Sequence, residues 1–310
     1  MFLVCGEALC DLLSAPSEHP LTGEIALRAR AGGSPFNVAV GLGRLGQPVA
    51  LATEISDDLL GDVIRATLVE AGVDLRQVRP SSRSTPLALV DLDPEGTPRY
   101  AFHGLSQLKV SVDASDLTGL GVTAIHVGSV ALVSHRSSDQ LLKLVAKARG
   151  RMLVTLDPNV RLAVEPDVSV WRAAVDAFRA QAHLVKVSEE DVAALYGEAR
   201  DPCEVAFSWV EGGCALVVLT RGASGASLFT HNERIDVAGS SADVVDTIGA
   251  GDSFQAAMLC WLAERGFASL TGVAGLTRDQ LAEMAAFGCT AAALTCSRLG
   301  PDLPWRSQLQ

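Results

Sequence analysis

Residues 244–257 read VVDTIGAGDSFQAA, a β-branched run that breaks at two glycines and continues as an apolar helical pattern. Gly249 and Gly251 allow a ligand to come close to the main chain. The first amides of a helix have no partner within it, and the helix dipole makes that end slightly positive. A loop-to-helix junction of this kind, here formed by Gly249, Ala250 and Gly251, is an anion site that suits phosphate. Asp252 at the same end would cap the helix even without a function, so this stretch alone leaves both interpretations open.

The composition restricts the class of protein. A length of 310 residues allows one large α/β domain or two ordinary ones, and 48% hydrophobic residues are ample for a core. The net charge of −11 argues against nucleic-acid and anionic-membrane partners, and no apolar run approaches membrane-spanning length. The seven cysteines form no CxxC pair, and no basic region precedes an apolar leader. We expect a cytoplasmic protein that acts on small molecules.

Predicted strands and helices alternate along most of the chain. This alternation predicts a doubly wound, mainly parallel sheet with helices on both faces, in one domain over residues 1–310. The predicted strands are 2–5, 48–53, 124–127, 152–156, 184–187 and 216–219, with a later hairpin at 226–229 and 235–237. The predicted helices are 57–71, 137–148, 170–182, 189–195, 202–211, 252–265 and 278–296, and another helix opens after residues 31–37.

Two strand-like segments interrupt the alternation. Residues 25–30 alternate enough for a short strand, and residues 87–102 form a hairpin pattern around a Pro- and Gly-containing turn. We expect them to form a small separate sheet that acts as a lid over the site. Its exposed edge and apolar face also suggest a homodimer formed through the lid.

Several familiar motifs do not account for the chain. Residues 41–46 spell GxGxxG, but this run closes a predicted helix, whereas the dinucleotide fingerprint follows a strand and opens a helix. The six histidines show no ligand spacing, and the sequence contains no HExxH, GxSxG or Walker GxxxxGK[ST] motif. Zinc and serine-hydrolase chemistry therefore have no support, and a nucleotide site would need another anion cradle.

Polar groups follow several predicted strands, where ligands usually bind in α/β sheets. The run 6–11, GEALCD, places Asp11 after the first strand, although it also fits an ordinary solvated loop. Arg161 follows the strand 152–156 and could hold a phosphate through its fork of donors, or it could pair with Glu165.

Two further segments could serve a nucleotide. Lys186 lies at a strand end and could contact a phosphate, while Ser188 would cap the next helix in either case. Residues 220–225, TRGASG, could shape a nucleotide pocket or form a simple glycine turn.

Residues 31–37, AGGSPFN, and 246–252, DTIGAGD, resemble the two signatures of the ribokinase-like, or PfkB, carbohydrate kinases. Their order and their separation of about two hundred residues also fit that family. The runs 6–11, 157–161 and 184–188 look like the fructokinase branch, and the resemblance covers nearly the whole chain. It implies an ATP-dependent kinase that phosphorylates a primary hydroxyl of a sugar.

The resemblance also implies roles for individual residues. Asp252 would be the base, and Gly249, Ala250, Gly251 and Asp252 would supply the amides of an anion hole. Mg²⁺ would accompany ATP, and Asp246 would lie near a monovalent-cation site that could take K⁺. The implied sugar-binding residues are Asp11, Gly32, Gly33, Asn37, Phe102 and Arg161. The implied nucleotide-binding residues are Lys186, Ser188, Thr220, Gly222, Gly225, Gly249 and Gly251.

The leading substrate is fructose. The alternatives are 2-keto-3-deoxygluconate, ribose or a riboside, and a rival from another class is a catalytically silent sugar- or nucleotide-binding protein. The sequence departs from the family pattern in two places. Residues 188–191 read SEED where the family has Asn-x-x-Glu, and residues 103–109 lack the Ala-Asp pair expected after the lid hairpin.

Overall fold

A computed structural model describes residues 1–14, 26–92, 98–105, 108–112, 117 and 119–309. The strands are β1 (Phe2–Cys5), β2 (Leu9–Ser14), β3 (Leu27–Gly32), β4 (Val49–Ser56), β5 (Val78–Ser81), β6 (Leu87–Leu92), β7 (Pro98–His103), β8 (Ala124–Gly128), β9 (Leu153–Asp157), β10 (Leu184–Ser188), β11 (Leu216–Thr220), β12 (Ala226–Phe229) and β13 (Arg234–Val237). The helices are α1 (Ser34–Arg44), α2 (Leu59–Glu70), α3 (Ser138–Ala148), α4 (Val168–Arg179), α5 (Glu189–Tyr196), α6 (Pro202–Glu211), α7 (Ala250–Glu264), α8 (Leu270–Ala274) and α9 (Arg278–Cys296).

Nine strands form a large sheet in the order β13-β12-β11-β10-β9-β8-β1-β4-β5. Its strands are parallel except for β12 and β13, which pair antiparallel at one edge. Helices α3 to α6 cover one face with a core that includes Trp171 and Trp209, and α1, α2, α7 and α9 cover the other with Phe36 and Trp261. Burial on both faces explains why the strands read as apolar runs, and the doubly wound prediction is confirmed.

Four strands form a second, small sheet in the order β3-β2-β6-β7, here called the small sheet. It contains residues 27–30 of the predicted strand 25–30, since β3 begins at Leu27, and the two strands of the predicted hairpin 87–102. Residue 25 and the predicted turn at 93–97 lie outside the described residues. Strand β2 was not predicted, because Asp11 interrupts its apolar pattern. The strand forms because β2 pairs with β3 on one side and β6 on the other, which satisfies its backbone.

Helices α1 and α7 pack against each other, and small residues allow their close approach. A Cβ added to Gly41 would come within 2.7 Å of Ala256 on α7 and 2.6 Å of Leu303. Gly41 and Gly43 therefore serve close packing, since a Cβ on Gly43 would collide with Ala71 O, whereas Gly46, with φ 79°, has open space where its Cβ would lie. Within the part of the chain that the structure describes, no helix is long and apolar enough to cross a membrane.

Candidate active site

Asp252 lies in the first turn of α7, where it meets the first turn of α1. Its Oδ1 accepts a hydrogen bond from Ser34 Oγ at 2.6 Å, and its Oδ2 accepts one from Asn37 Nδ2 at 2.8 Å. The side chain is held in one orientation, since both carboxylate oxygens have a donor. The motifs at residues 31–37 and 246–252 are thus in direct contact. Ser34 was not among the predicted site residues, although it lies within the quoted motif.

The backbone of residues 249–252, which was predicted to bind an anion, is here called the anion cradle. Gly249 precedes α7 in the left-handed conformation, with φ 80°, and a Cβ there would lie 2.8 Å from Pro301 Cβ. The Ala250 amide donates to Thr247 O at 3.2 Å, so it is already engaged. Among the described residues, the amides of Gly251 and Asp252 have no hydrogen-bond partner, which leaves two donors for an anion.

Lys186 lies beside this cradle. Its Nζ is 2.9 Å from the position that a Cβ on Gly251 would take, so a side chain at residue 251 would collide with the ammonium. Lys186 Nζ also forms an ion pair of 2.8 Å with Asp157 Oδ2, in which both side chains are buried. Glycine at 251 therefore lets a cation lie directly next to the two free amides.

The Lys186–Asp157 pair has shifted pKa values on both sides. Burial raises the pKa of Asp157 to about 6, although the Lys186 charge opposes that shift. Burial would lower the pKa of Lys186, but the charges of Asp157, Asp191 and Asp252 outweigh it and the pKa is raised. Lys186 therefore stays charged. Asp157 Oδ1 is buried without a hydrogen-bond partner among the described residues.

Asp11 approaches the same region from the small sheet. A Cβ on Gly32 would collide with the Asp11 carboxylate, and a Cβ on Gly33, whose φ is 103°, would lie 2.9 Å from Glu7 O. The two glycines are needed for these close contacts. Burial raises the pKa of Asp11 to about 7, the negative charge of Asp252 adds to the rise, and Arg161 opposes it.

Glu7 is a carboxyl at the site that the sequence analysis did not select. Its side chain is only 2% exposed, and its Oε2 has no hydrogen-bond partner among the described residues. Burial raises the pKa of Glu7 to about 7, while Ser129 and Arg161 oppose the rise and Asp252 adds to it. Glu7 stands within the run 6–11, but without the fold it could not be distinguished from a solvated loop residue.

The other two predicted sugar-binding residues are Arg161 and Phe102. Arg161 Nη1 donates to Val160 O at 2.9 Å. Glu165 Oε1 instead accepts from the Asp167 amide, and no Arg161–Glu165 ion pair occurs among the described residues. Phe102 lies on β7, half-buried, and packs against the core beneath the small sheet.

Among the predicted nucleotide-binding residues, Ser188 and Gly225 have structural roles, whereas Gly222 has open space beside it. Ser188 caps α5, since its Oγ accepts from the Asp191 amide at 3.0 Å and donates to Asp191 Oδ2 at 2.7 Å. Gly225, with φ 92°, is packed so closely on the backbone of residues 237–239 that a Cβ would collide. Gly222, with φ 50°, has open space where its Cβ would lie. Thr220 ends β11, the strand next to Lys186.

Asp246 organises the loop before α7. Its Oδ1 accepts from the Ile248 amide at 2.9 Å, and its Oδ2 accepts from the Gly300 amide at 2.8 Å. Among the described residues, no group of three or more His, Cys, Asp or Glu side chains could hold a metal ion.

Comparison with known proteins gives consistent results. A family model described as pfkB family carbohydrate kinase matches residues 2–308. A fructokinase of Rhizobium leguminosarum bv. trifolii is 34% identical over 283 residues, which covers 91% of this chain and 85% of that protein. A fructokinase of Klebsiella pneumoniae is 30% identical over 311 residues, covering 99% and 97% of the two chains.

Solved structures share the fold. The fructokinase of Xylella fastidiosa with bound ATP has a TM-score of 0.86 and 24% identity, and covers 99% of this chain and 96% of that one. The fructokinase of Vibrio cholerae O395, in a form that binds fructose, ADP and calcium, has a TM-score of 0.77 and 26% identity, with coverage of 97% and 94%.

Proposed function

The chain belongs to the pfkB family of carbohydrate kinases, and we propose that it transfers the γ-phosphoryl group of ATP to a primary hydroxyl of fructose. The family identified from residues 31–37 and 246–252 is confirmed, and with it the sugar-kinase activity. ATP as donor is supported by the ATP-bound Xylella relative, and fructose by the relatives that are fructokinases.

One observation carries the proposed mechanism: Asp252 is held by Ser34 and Asn37 beside two free amides. Asp252 takes the proton of the sugar hydroxyl as that oxygen bonds to the γ-phosphorus, and the bond from phosphorus to the leaving oxygen of ADP breaks. A positioned base typically contributes about 10²–10⁴-fold. An intact base in this position argues against a catalytically silent binding protein.

The charge of the transferring group would be met by the amides of Gly251 and Asp252 and by Lys186. Phosphoryl transfer depends mainly on positioning and on charge stabilisation, which these groups supply. Mg²⁺ usually binds through one or two carboxylates together with phosphates and water. Asp157 Oδ1, which has no hydrogen-bond partner among the described residues, would supply such a carboxylate oxygen. When bound, Mg²⁺ would neutralise phosphate charge.

The charges at the sugar end favour a neutral sugar. Asp252 lies within electrostatic reach of both Glu7 and Asp11, Asp246 also acts on Asp11, and the guanidinium of Arg161 opposes these charges. An acidic sugar such as 2-keto-3-deoxygluconate would bring a further negative charge into this acidic region. Fructose, ribose and ribosides carry no such charge, and the fructokinase relatives favour fructose among them.

An ADP-release assay over fructose, ribose, a riboside and 2-keto-3-deoxygluconate tests the substrate. We expect the highest kcat/KM with fructose and a phosphate ester at its primary hydroxyl, identified by phosphorus NMR. A higher kcat/KM with another sugar would replace fructose, and no turnover with any of them would support a silent binding protein.

The proposal extends to K⁺ and to dimerisation. Each Asp246 oxygen accepts one amide and keeps a lone pair that a monovalent cation could share, so we expect faster turnover in KCl than in choline chloride.

Leu27 on β3 is 43% exposed at an edge of the small sheet, which supports a homodimer through it. Sedimentation of the wild type and of Leu27→Asp tests the homodimer. If both proteins sediment as monomers, the proposed homodimer is excluded.

A further inference from the structure

Residues Leu299–Leu303, here called the strap, run directly beside the anion cradle. The Gly300 amide donates to Asp246 Oδ2 at 2.8 Å. Pro301 Cβ lies 2.8 Å from the position that a Cβ on Gly249 would take, so the strap packs against the left-handed turn that begins α7. The turn that aims the free amides is therefore supported by the strap from outside.

The far end of the strap is fixed to α1. Arg44 Nη1 donates to Asp302 Oδ1 at 2.8 Å and to Leu303 O at 2.5 Å. Leu303 is buried, 1% exposed, and its side chain fills the space left by Gly41. This end is therefore attached to α1, the helix that also carries Ser34 and Asn37.

Arg30 connects the near end of the strap to the small sheet. Its Nη1 donates to Leu299 O, and a Cβ on Gly300 would lie 2.9 Å from the same nitrogen, so the guanidinium lies across this glycine. Gly300 has φ 71°, a conformation that also favours glycine.

The position of Arg30 within the small sheet relates this contact to the sugar end. Arg30 on β3 pairs directly with Asp11 on β2. Directly opposite residues of an antiparallel pair share one face, so the two side chains start from the same side of the small sheet. Arg30 also lies two residues before Gly32, the last residue of β3.

We infer that Arg30 is a positioning residue that couples the sugar-binding end of the small sheet to the anion cradle through the strap. This inference rests on the proposed function for the statement that sugar binds at Asp11. A sugar that orders β2 and β3 keeps Arg30 on Leu299 O. The strap then holds Gly300 on Asp246 and Pro301 against Gly249, and the amides of Gly251 and Asp252 stay aimed at the phosphoryl group.

Coupling of this kind works in both directions, since each site biases the same element. An anion in the cradle should strengthen sugar binding by the same factor by which sugar strengthens anion binding. Without Arg30 the two sites should bind independently, while the side chains that touch the substrates remain in place.

Arg30→Ala tests the inference, with Arg28→Ala as the matched control. Arg28 lies on the same strand and the same face as Arg30 but is exposed. We expect Arg30→Ala to lower kcat by about 5- to 100-fold, in the range of typical coupling between sites, and to change the KM for ATP much less. Arg30→Lys, which keeps a donor and a charge, should recover part of kcat, and Arg28→Ala should behave as wild type.

Hydrogen exchange separates coupling from a merely structural effect. In wild type, the sugar selected by turnover should protect the amides of residues 9–14 and also those of 246–252. In Arg30→Ala it should still protect 9–14 but no longer 246–252. Equal sugar-induced protection of 246–252 in Arg30→Ala and wild type would overturn the inference, as would no protection there in wild type.

Failure of the proposed function would look different. In that case no sugar would protect residues 9–14 or support turnover. The strap would still be tested in the free protein, where Arg30→Ala should speed exchange at 246–252 and Arg28→Ala should not. Unchanged exchange in both variants would overturn the role of Arg30.

Discussion

Asp11 carries the polar contact that the small sheet brings to the site. Its carboxylate is 8% exposed and packs on Gly32, so a sugar hydroxyl would meet it in a largely water-free setting. A hydrogen bond to a charged group is worth about 1.5–3 kcal/mol. The residue therefore has enough effect to dominate sugar affinity without contacting the nucleotide.

Asp11→Ala should raise the KM for the sugar by about 10- to 100-fold, because one charged acceptor is lost. The KM for ATP should barely change. Steady-state kinetics with each substrate varied in turn measures both, and Asp62→Ala on the exposed face of α2 serves as control. A raised KM for ATP with an unchanged KM for the sugar would show that Asp11 lies at the nucleotide end of the cleft and not at the sugar end.

Glu7 makes folding stability depend on pH. Burial raises its pKa to about 7 in the folded protein, against 4.5 for an exposed Glu. Between these values the folded state binds more protons than the unfolded state, so stability falls as pH rises through this window. Asp11, with its pKa raised to about 7, acts in the same direction.

Glu7→Gln removes one of these two titrations. We expect the variant to lose less unfolding free energy than wild type between pH 4.5 and 7, by on the order of 2 kcal/mol. Urea unfolding across this pH range measures the difference, with the exposed Glu70→Gln as control. Parallel pH profiles for Glu7→Gln and wild type would show that Glu7 does not titrate in this window.

At the scale of elements, the site is built from the first turns of two helices and from two neighbouring strands. Helices α1 and α7 meet through Ser34, Asn37 and Asp252, and strands β9 and β10 contribute Asp157 and Lys186. The buried pair is costly to disrupt, since removing one partner of a buried ion pair typically costs about 3–5 kcal/mol.

Lys186→Met should lower both stability and kcat, because Asp157 is left unpaired and the cradle loses its cation. In the wild type the Lys186 charge opposes the rise in the pKa of Asp157, so without Lys186 the carboxyl takes up a proton at a higher pH, and the loss of stability should shrink as the pH falls. Lys186→Met combined with Asp157→Leu should recover stability but not kcat, as measured by urea unfolding and turnover. Recovery of kcat in the double variant would show that Lys186 serves only to neutralise Asp157.

The sequence predicted the regular elements well where periodicity was strong. Helices 202–211 and 278–296 match α6 and α9, and the Ser188 cap of α5 is confirmed. It missed β2, whose apolar pattern is interrupted by Asp11, and β5, a four-residue strand with no fully buried residue. Such strands are defined by their neighbours in the sheet, and a single sequence does not contain that information.

The same limit applied to the site. Asp252 and residues 249–251 could be predicted because helix starts bind anions and because two motifs resemble one family. Glu7, Ser34 and Asp157 were in the quoted runs but were not selected, since their roles depend on burial and on partners far along the chain. Sequence alone could not show that the Ala250 amide is already engaged with Thr247.

At the scale of the whole molecule, the site joins two sheets. Asp11 comes from the small sheet, whereas Asp157 ends β9 and Lys186 lies within β10 of the large sheet, and Asp252 lies in the first turn of a helix that covers this sheet. A cover that closes on the sugar would exclude water from Asp252 and so limit wasteful ATP hydrolysis. The lid role of the small sheet and the single domain over residues 1–310 remain predictions.

The most direct test of the central claim is the turnover of Asp252→Asn. Asn keeps the shape of Asp: its side-chain oxygen can accept a hydrogen bond from Asn37, and its side-chain NH₂ can donate one to Ser34 Oγ. Unlike a carboxylate, this amide cannot take a proton from the sugar hydroxyl. We predict that kcat with the preferred sugar falls by about 10²–10⁴-fold, while ATP binding measured by calorimetry is unchanged. A kcat within a few-fold of wild type would contradict the assignment of Asp252 as the base.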